Sequence, residues 1–325
     1  MRTSCGLSLL LSTALLFSCS EPISERALAL DGWQAWHDQR VADLLGDAGW
    51  LDLTGLHWLR LEEDSEGRQR GTVSVGPGTE NLVVLEPRPS LEGAPATLAE
   101  FEIDPPDRFE IVAAPGAGLS LEGVSLPENQ SRSLWLEDSE DASMKRLAEV
   151  RRGPLAMTLI VRGGNWAVRV RDRSIDTEAL LGDLDVWPAS EEWVIPARFE
   201  AFEDVRDVEV PNVTPFEYDQ KSVGEIVLTL PGKNEERRLL ALGTSLEEPL
   251  FLIVADETNG RSTYGGGRYM YPEPPDADGN LWVDFNRLYN PPCAFTGWAT
   301  CPLPPRQNRV DVAIEAGEKA WDHPY

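Results

Sequence analysis

Short runs of alternating hydrophobic and polar positions, punctuated by glycine, proline, asparagine and aspartate, occupy most of this chain. Alternation with period two puts every second side chain on one face of a pleated strand. Such runs predict strands at Gly71–Val75, Asn81–Leu85, Thr97–Ile103, Arg108–Ala113 and Gly118–Val124. Leu155–Val161 and Trp166–Val170 flank Arg162-Gly163-Gly164-Asn165, a two-glycine hairpin signal. After Pro188 the pattern resumes at Trp193–Glu200, Val205–Val210, Gly224–Leu230, Arg237–Leu242 and Leu250–Ala255. One stretch departs from it. In Leu30–Leu45, the positions Trp33, Trp36, Val41, Leu44 and Leu45 have spacings that predict a helix, stopped by Gly46 and Gly49. Gly49–Leu59 alternates weakly and opens the first sheet. Regular short strands with little helical periodicity predict a mainly β protein, an antiparallel sandwich or partly open barrel with an N-terminal helix and few short helices. Pro188–Pro196 is the expected seam between a lobe at 30–190, helix included, and a lobe at 191–325; one continuous domain over 30–325 is the alternative.

The N-terminus changes the picture of where the chain works. Arg2 followed by apolar Leu7–Phe17 is too short to span a bilayer and reads as a signal peptide over residues 1–18. Leu16-Phe17-Ser18-Cys19 resembles a bacterial lipobox, which predicts cleavage before Cys19, its acylation with chains such as palmitate, and a tether over residues 19–29. Ser20 lies where Asp would favour inner-membrane retention, so the expected place is the cell envelope, at the outer membrane facing the periplasm, with the lipid bilayer as partner. With Cys5 removed and Cys19 acylated, the exported body keeps Cys293 and Cys301. An oxidising compartment predicts a disulfide between them, against a free buried pair or two metal ligands; no third or fourth soft ligand lies at a recognisable spacing. The formal net charge of -26 repels phosphate backbones and excludes nucleic acid as the expected partner.

Chemistry concentrates in residues 256–305, where glycines and prolines set unusual or fixed backbone angles around polar side chains. Pro275–Asn280 reads as a turn joining Arg268–Tyr271 to Leu281–Asn286, so that Arg268 faces Asp284 and can pair with it. Alternation puts Leu281, Val283 and Phe285 on one face and Trp282, Asp284 and Asn286 on the other, the composition of a pocket wall. Gly265-Gly266-Gly267 lacks the ending of a phosphate loop and reads as a site of sharp bending or close backbone approach. Familiar catalytic patterns are absent, as is any cofactor or metal motif. Of the three histidines, His37 falls on the predicted helix, His323 is almost terminal, and His57, among Leu56, Trp58 and Leu59, reads as a core residue.

The run Thr258-Asn259-Gly260, Thr263-Tyr264-Gly265-Gly266-Gly267-Arg268-Tyr269, Asp284-Phe285-Asn286-Arg287, Tyr289-Asn290-Pro291-Pro292-Cys293-Ala294-Phe295-Thr296, Cys301-Pro302-Leu303-Pro304-Pro305 and Asn308 resembles the bacterial family of domain of unknown function 1684. Upstream, Gly49-Trp50-Leu51, Gly55–Leu59, Arg169–Asp172 and Ala197–Glu200 resemble it too. The resemblance implies an exported protein, often a lipoprotein, with its signature in this stretch and no assigned activity.

Three functional expectations follow. The first is an envelope lipoprotein whose rigid C-terminal pocket binds a small ligand or peptide end through Tyr264, Arg268, Tyr269, Trp282, Asp284, Asn286, Tyr289 and Asn290. The second is a hydrolase-like enzyme, with candidate catalytic residues Asp256, Asp284, Arg268 and Tyr264. The third is a structural lipoprotein in which the same segment only locks two β lobes together.

Overall fold

The chain's computed structural model describes residues 30, 32–105, 108–138, 144–213, 220–247 and 249–321. The expected signal peptide, Cys19 and His323 lie outside the described residues. Among the described residues, no helix is long and apolar enough to cross a membrane.

The architecture is mainly β, built from antiparallel sheets that do not close into a barrel, with an N-terminal helix and few short helices. Helix α1, Trp33–Leu45, ends at Gly46. Strand β1, Leu53–Trp58, follows, then β2 Gln69–Gly76, β3 Ala99–Asp104, β4 Arg108–Ala113, β5 Leu155–Arg162 and β6 Asn165–Asp172. The order β1–β6–β5 starts an eight-stranded sheet, and β2–β3–β4 are consecutive in a six-stranded one. Phe101, Ile103, Phe109 and Ile111 from the second sheet and Met157, Leu159, Val168 and Val170 from the first share one core. Gly163 and Gly164 turn the β5–β6 hairpin at φ 55° and 78°, the left-handed angles that a two-residue hairpin loop needs. Gly118–Val124 is not the single strand expected. It folds back on itself, Ser120–Leu121 pairing with Val124–Ser125, because Glu122 and Gly123 take positive φ.

The remaining elements are α2 Thr177–Leu181, β7 Val194–Val208, β8 Gln220–Thr229, β9 Glu236–Leu242, β10 Leu252–Val254, β11 Arg268–Met270 and β12 Asn280–Asp284. The two expected strands around 193–210 are one 15-residue strand, with an irregularity between Ala201 and Arg206 absorbing the break. β9–β8–β7–β12 form a four-stranded sheet with β12 at its edge, and β10 pairs with β11 alone. Leu242 and Phe251 exchange backbone hydrogen bonds and connect β9 to β10. Their core includes Ile226, Leu239, Leu252, Met270, Val283, Phe285 and Ile314.

Residues after Pro196 touch those before Pro188 through buried polar contacts. Arg162 donates to the Thr300 carbonyl at 2.9 Å, and Thr296 Oγ1 donates to the Leu53 carbonyl at 3.1 Å. Helix α1 packs on residues from the C-terminal half: Trp33 Nε1 donates to the Asn286 carbonyl at 2.9 Å. Leu44 shares a cluster with Leu181 and Phe295.

Candidate functional site

The signature residues divide between a buried lattice and a surface groove. The lattice begins with the chain's tail. Residues 310–320 form no strand of the sheets, so their carbonyls need donors from elsewhere. Arg268, fully buried at the start of β11, supplies them. Its Nη2 donates to Ile314 O and Asp256 Oδ2, each at 2.9 Å, and its Nη1 donates to Glu318 O at 3.2 Å and to Ala316 O. Burial holds the guanidinium below its ordinary pKa, opposed by the Asp256 carboxylate. Asp256 is equally occupied, its Oδ1 accepting from Thr258 N, Thr258 Oγ1 and Ile314 N.

This corrects the expected Arg268–Asp284 pair. β11 pairs with β10 and β12 with β7, so the two residues do not face each other across a hairpin. The reason lies in the link between them: Pro272, Pro274 and Pro275 have no N–H with which to build a ladder. The expected strand to Asn286 also stops at Asp284, whose side chain accepts from Asn286 N and caps a 3₁₀ turn over Phe285–Arg287.

Other signature side chains act as backbone surrogates. Asn308 accepts from Leu240 N at 2.7 Å and donates to Leu240 O at 3.0 Å, as a neighbouring strand would. Asn286 does the same to Ser190, at 3.0 and 2.9 Å. Asn290 donates to Lys319 O at 2.7 Å. Glu318, fully buried, accepts from Arg40 Nε at 2.9 Å and Asn290 N at 2.7 Å, tying α1 to the tail. Arg40 also lies 4.6 Å over the Tyr289 ring. Gly267 has φ 87°, and a Cβ there would meet Pro304 Cγ at 2.4 Å, so the glycine is a close-approach residue. Cys293 and Cys301 are joined by a disulfide, their Cα atoms 6.2 Å apart. Closing so small a loop contributes roughly 2.5 kcal/mol in the chain-entropy picture.

Tyr269 is buried and donates its hydroxyl to Pro302 O at 2.7 Å. Tyr289 sits edge-on to it, its hydroxyl pushed well above the ordinary value by burial and then by Tyr271. Half-buried Tyr264, also raised by burial, covers Gly266, where an added Cβ would strike its ring at 2.5 Å. His57 is half-buried, and burial lowers its pKa.

Trp282 and Asp284 alone among the expected ligand residues line the groove. Its volume is about 760 Å³, and the other lining residues are Pro196, Ala197, Met270, Tyr271, Pro272, Glu273, Pro274, Asp276, Asn280, Leu281 and Arg287. Leu281 and Val283 turn into the core while Trp282 stays partly open, as the alternation predicts. Arg287 holds Glu273 Oε1 at 3.3 Å, and its Nε lies 3.2 Å from Asp284 Oδ2. Burial raises the Asp284 carboxyl above the ordinary range, opposed by its bonds from Asn286 and by the Arg287 charge. Asp276 is held low by the Asn280 N–H it accepts. Half-exposed Tyr271 stacks on Phe251 at 5.0 Å. Tyr271 and Glu273 were missed by sequence reasoning, and Arg287, though part of the signature run, was not placed among the ligand residues; a proline-flanked aromatic beside opposed charges was the signal available. Among the described residues, no cluster of three or more His, Cys, Asp or Glu side chains is placed to hold a metal ion.

Residues 181–319 match the family profile described as "Protein of unknown function (DUF1684)". Among solved structures, the chain is similar to an uncharacterised protein of Haloarcula marismortui determined by solution NMR. The two are 27% identical with a TM-score of 0.37, over 44% of this chain and 80% of that one. No curated protein matches the chain.

Proposed function

We propose that this chain, whose residues 181–319 belong to the DUF1684 family, is an envelope lipoprotein that holds a small ligand or peptide end in the groove at β12. One observation carries the binding part: an aromatic and proline-lined groove of about 760 Å³ contains a mostly buried carboxylate, Asp284, with Arg287 beside it. That volume falls in the range of small-molecule sites, and a few polar groups among apolar walls give a ligand its orientation. Tyr271 and Trp282 supply contact area; Asp284, Glu273 and Arg287 supply direction. Anchoring through acylated Cys19 rests on the lipobox-like Leu16–Cys19.

The hydrolase reading has less support. It needs Arg268 free to stabilise charge, and Arg268 is enclosed with Asp256 and three carbonyls. The structural reading is favoured for part of the signature: Arg268, Asn286, Asn290 and Asn308, with Glu318 beyond it, are buried and bonded to the chain itself. Arg268, Asn290 and Glu318 hold the tail, Asn286 and Asn308 hold Ser190 and Leu240, and binding is assigned to the groove.

The test is native mass spectrometry after incubation with a small-molecule extract of bacterial envelopes. Wild-type protein is expected to retain a species that Trp282→Ala loses by about tenfold or more, at an unchanged melting temperature, since Trp282 is partly exposed. Retention by the variant would sink the groove as the site. A pH dependence goes with it. The folded Asp284 carboxyl titrates above its unfolded value, so the cost of its buried charge is present above that raised pKa and relieved as pH falls through it. A cationic ligand is therefore expected to leave on acidification, beginning above the range in which an ordinary aspartate titrates.

A further inference from the structure

The edge of β12 is left open in a particular way. Pro196, opposite Trp282, has no N–H, and Phe199 N donates to Gly279 O at 2.7 Å on the same ladder. In an antiparallel pair hydrogen-bonded and non-bonded pairs alternate. Hence Gly279, Leu281 and Val283 direct their backbone groups at β7, and Asn280, Trp282 and Asp284 direct theirs away from it. Asn280 confirms this parity: its outward N–H and C=O are taken by the Asp276 side chain and Asp276 N, each at 2.8 Å. The next outward residue is Trp282. The segment that returns alongside β12, Tyr271–Pro275, contains three prolines and makes no backbone bond to it. An edge strand with unsatisfied groups is a template for another strand unless it is covered or blocked. The groove is lined by this edge strand, by the proline segment and by Pro196 and Ala197 of β7.

Charge narrows the occupant. The groove lining carries Glu273, Asp276 and Asp284 against Arg287, in a chain of formal net charge -26. An acidic groove on an acidic protein repels anionic segments and attracts cationic ones.

We infer that the groove takes an extended, lysine- or arginine-bearing peptide as an added antiparallel strand on β12, paired through the N–H and C=O of Trp282. This rests on the proposal that the groove is the ligand site, and specifies its occupant and binding mode. The backbone of Trp282 supplies affinity for any extended peptide. Side chains of alternate peptide residues point toward the acidic wall and select for positive charge.

The test uses acetylated, amidated eight-residue peptides with lysine at alternate positions and threonine or valine between, a glutamate-for-lysine set, and singly N-methylated versions of the best binder. Expected is binding by lysine peptides, at least about tenfold weaker for the glutamate set. N-methylation should weaken binding about tenfold at the one position whose N–H meets the Trp282 carbonyl and less than about twofold at its two neighbours, whose N–H groups face away from β12. The Trp282 amide should exchange more slowly with peptide bound. Binding with no single sensitive position, or without slowing at Trp282, overturns strand addition and leaves the groove as a ligand site. Failure of every lysine peptide to bind, with the envelope species still retained by wild type alone, overturns the peptide and spares the groove. Equal binding by the glutamate set overturns the cationic preference. Equal binding to Trp282→Ala removes both this inference and the site it rests on.

Discussion

Replacing Arg268 with methionine is expected to cost about 3–5 kcal/mol of folding stability, the range for breaking a buried ion pair from one side. The side chain is fully enclosed, so no water replaces it for Asp256 or for the carbonyls of Ile314, Ala316 and Glu318. Its planar fork serves four acceptors at once, which the single ammonium of Arg268→Lys does not reproduce. Adding Asp256→Ala should recover only part of the loss, because the three carbonyls remain without their donor. Urea unfolding measures this. A loss below about 1 kcal/mol would show that the tail holds without Arg268.

Glu318→Gln is expected to cost about 2–4 kcal/mol and to loosen helix α1. Both carboxylate oxygens accept, one from Arg40 and one from the Asn290 amide, so a glutamine must turn its NH₂ toward one of these donors. Arg40 keeps the Asn290 carbonyl at 2.9 Å and the Tyr289 ring, which limits the damage on its side. The expected signature is lower stability in urea together with faster proteolysis within Trp33–Leu45. Unchanged cleavage there would mean that α1 is held by its apolar contacts with Leu181 and Phe295 instead.

The fold was legible where local chemistry is self-sufficient. The Gly163-Gly164 turn, the helix ending at Gly46 and the alternation of β3 each appear where their residues predict them. The joining of 193–210 into one strand was not legible, because an irregular ladder absorbs residues that break the alternation. The site was legible only in part. Trp282 and Asp284 follow from strand parity and stand together in the groove. Arg268 turned elsewhere, because its partners lie on an irregular tail with no hydrophobic period to betray where it packs. Sequence proximity suggested one inward-facing patch. Burial separated it into a lattice that satisfies backbone groups and a groove that includes residues such as Tyr271 and Glu273, which no motif marked.

The separation of lattice from groove is tested most directly by amide hydrogen exchange over the whole chain, with and without the small-molecule fraction of an envelope extract. Slowing confined to residues 270–274 and 280–287, with the 256–264 loop unchanged, is the result predicted. Slowing centred on 256–264, or on residues before 190, would contradict it.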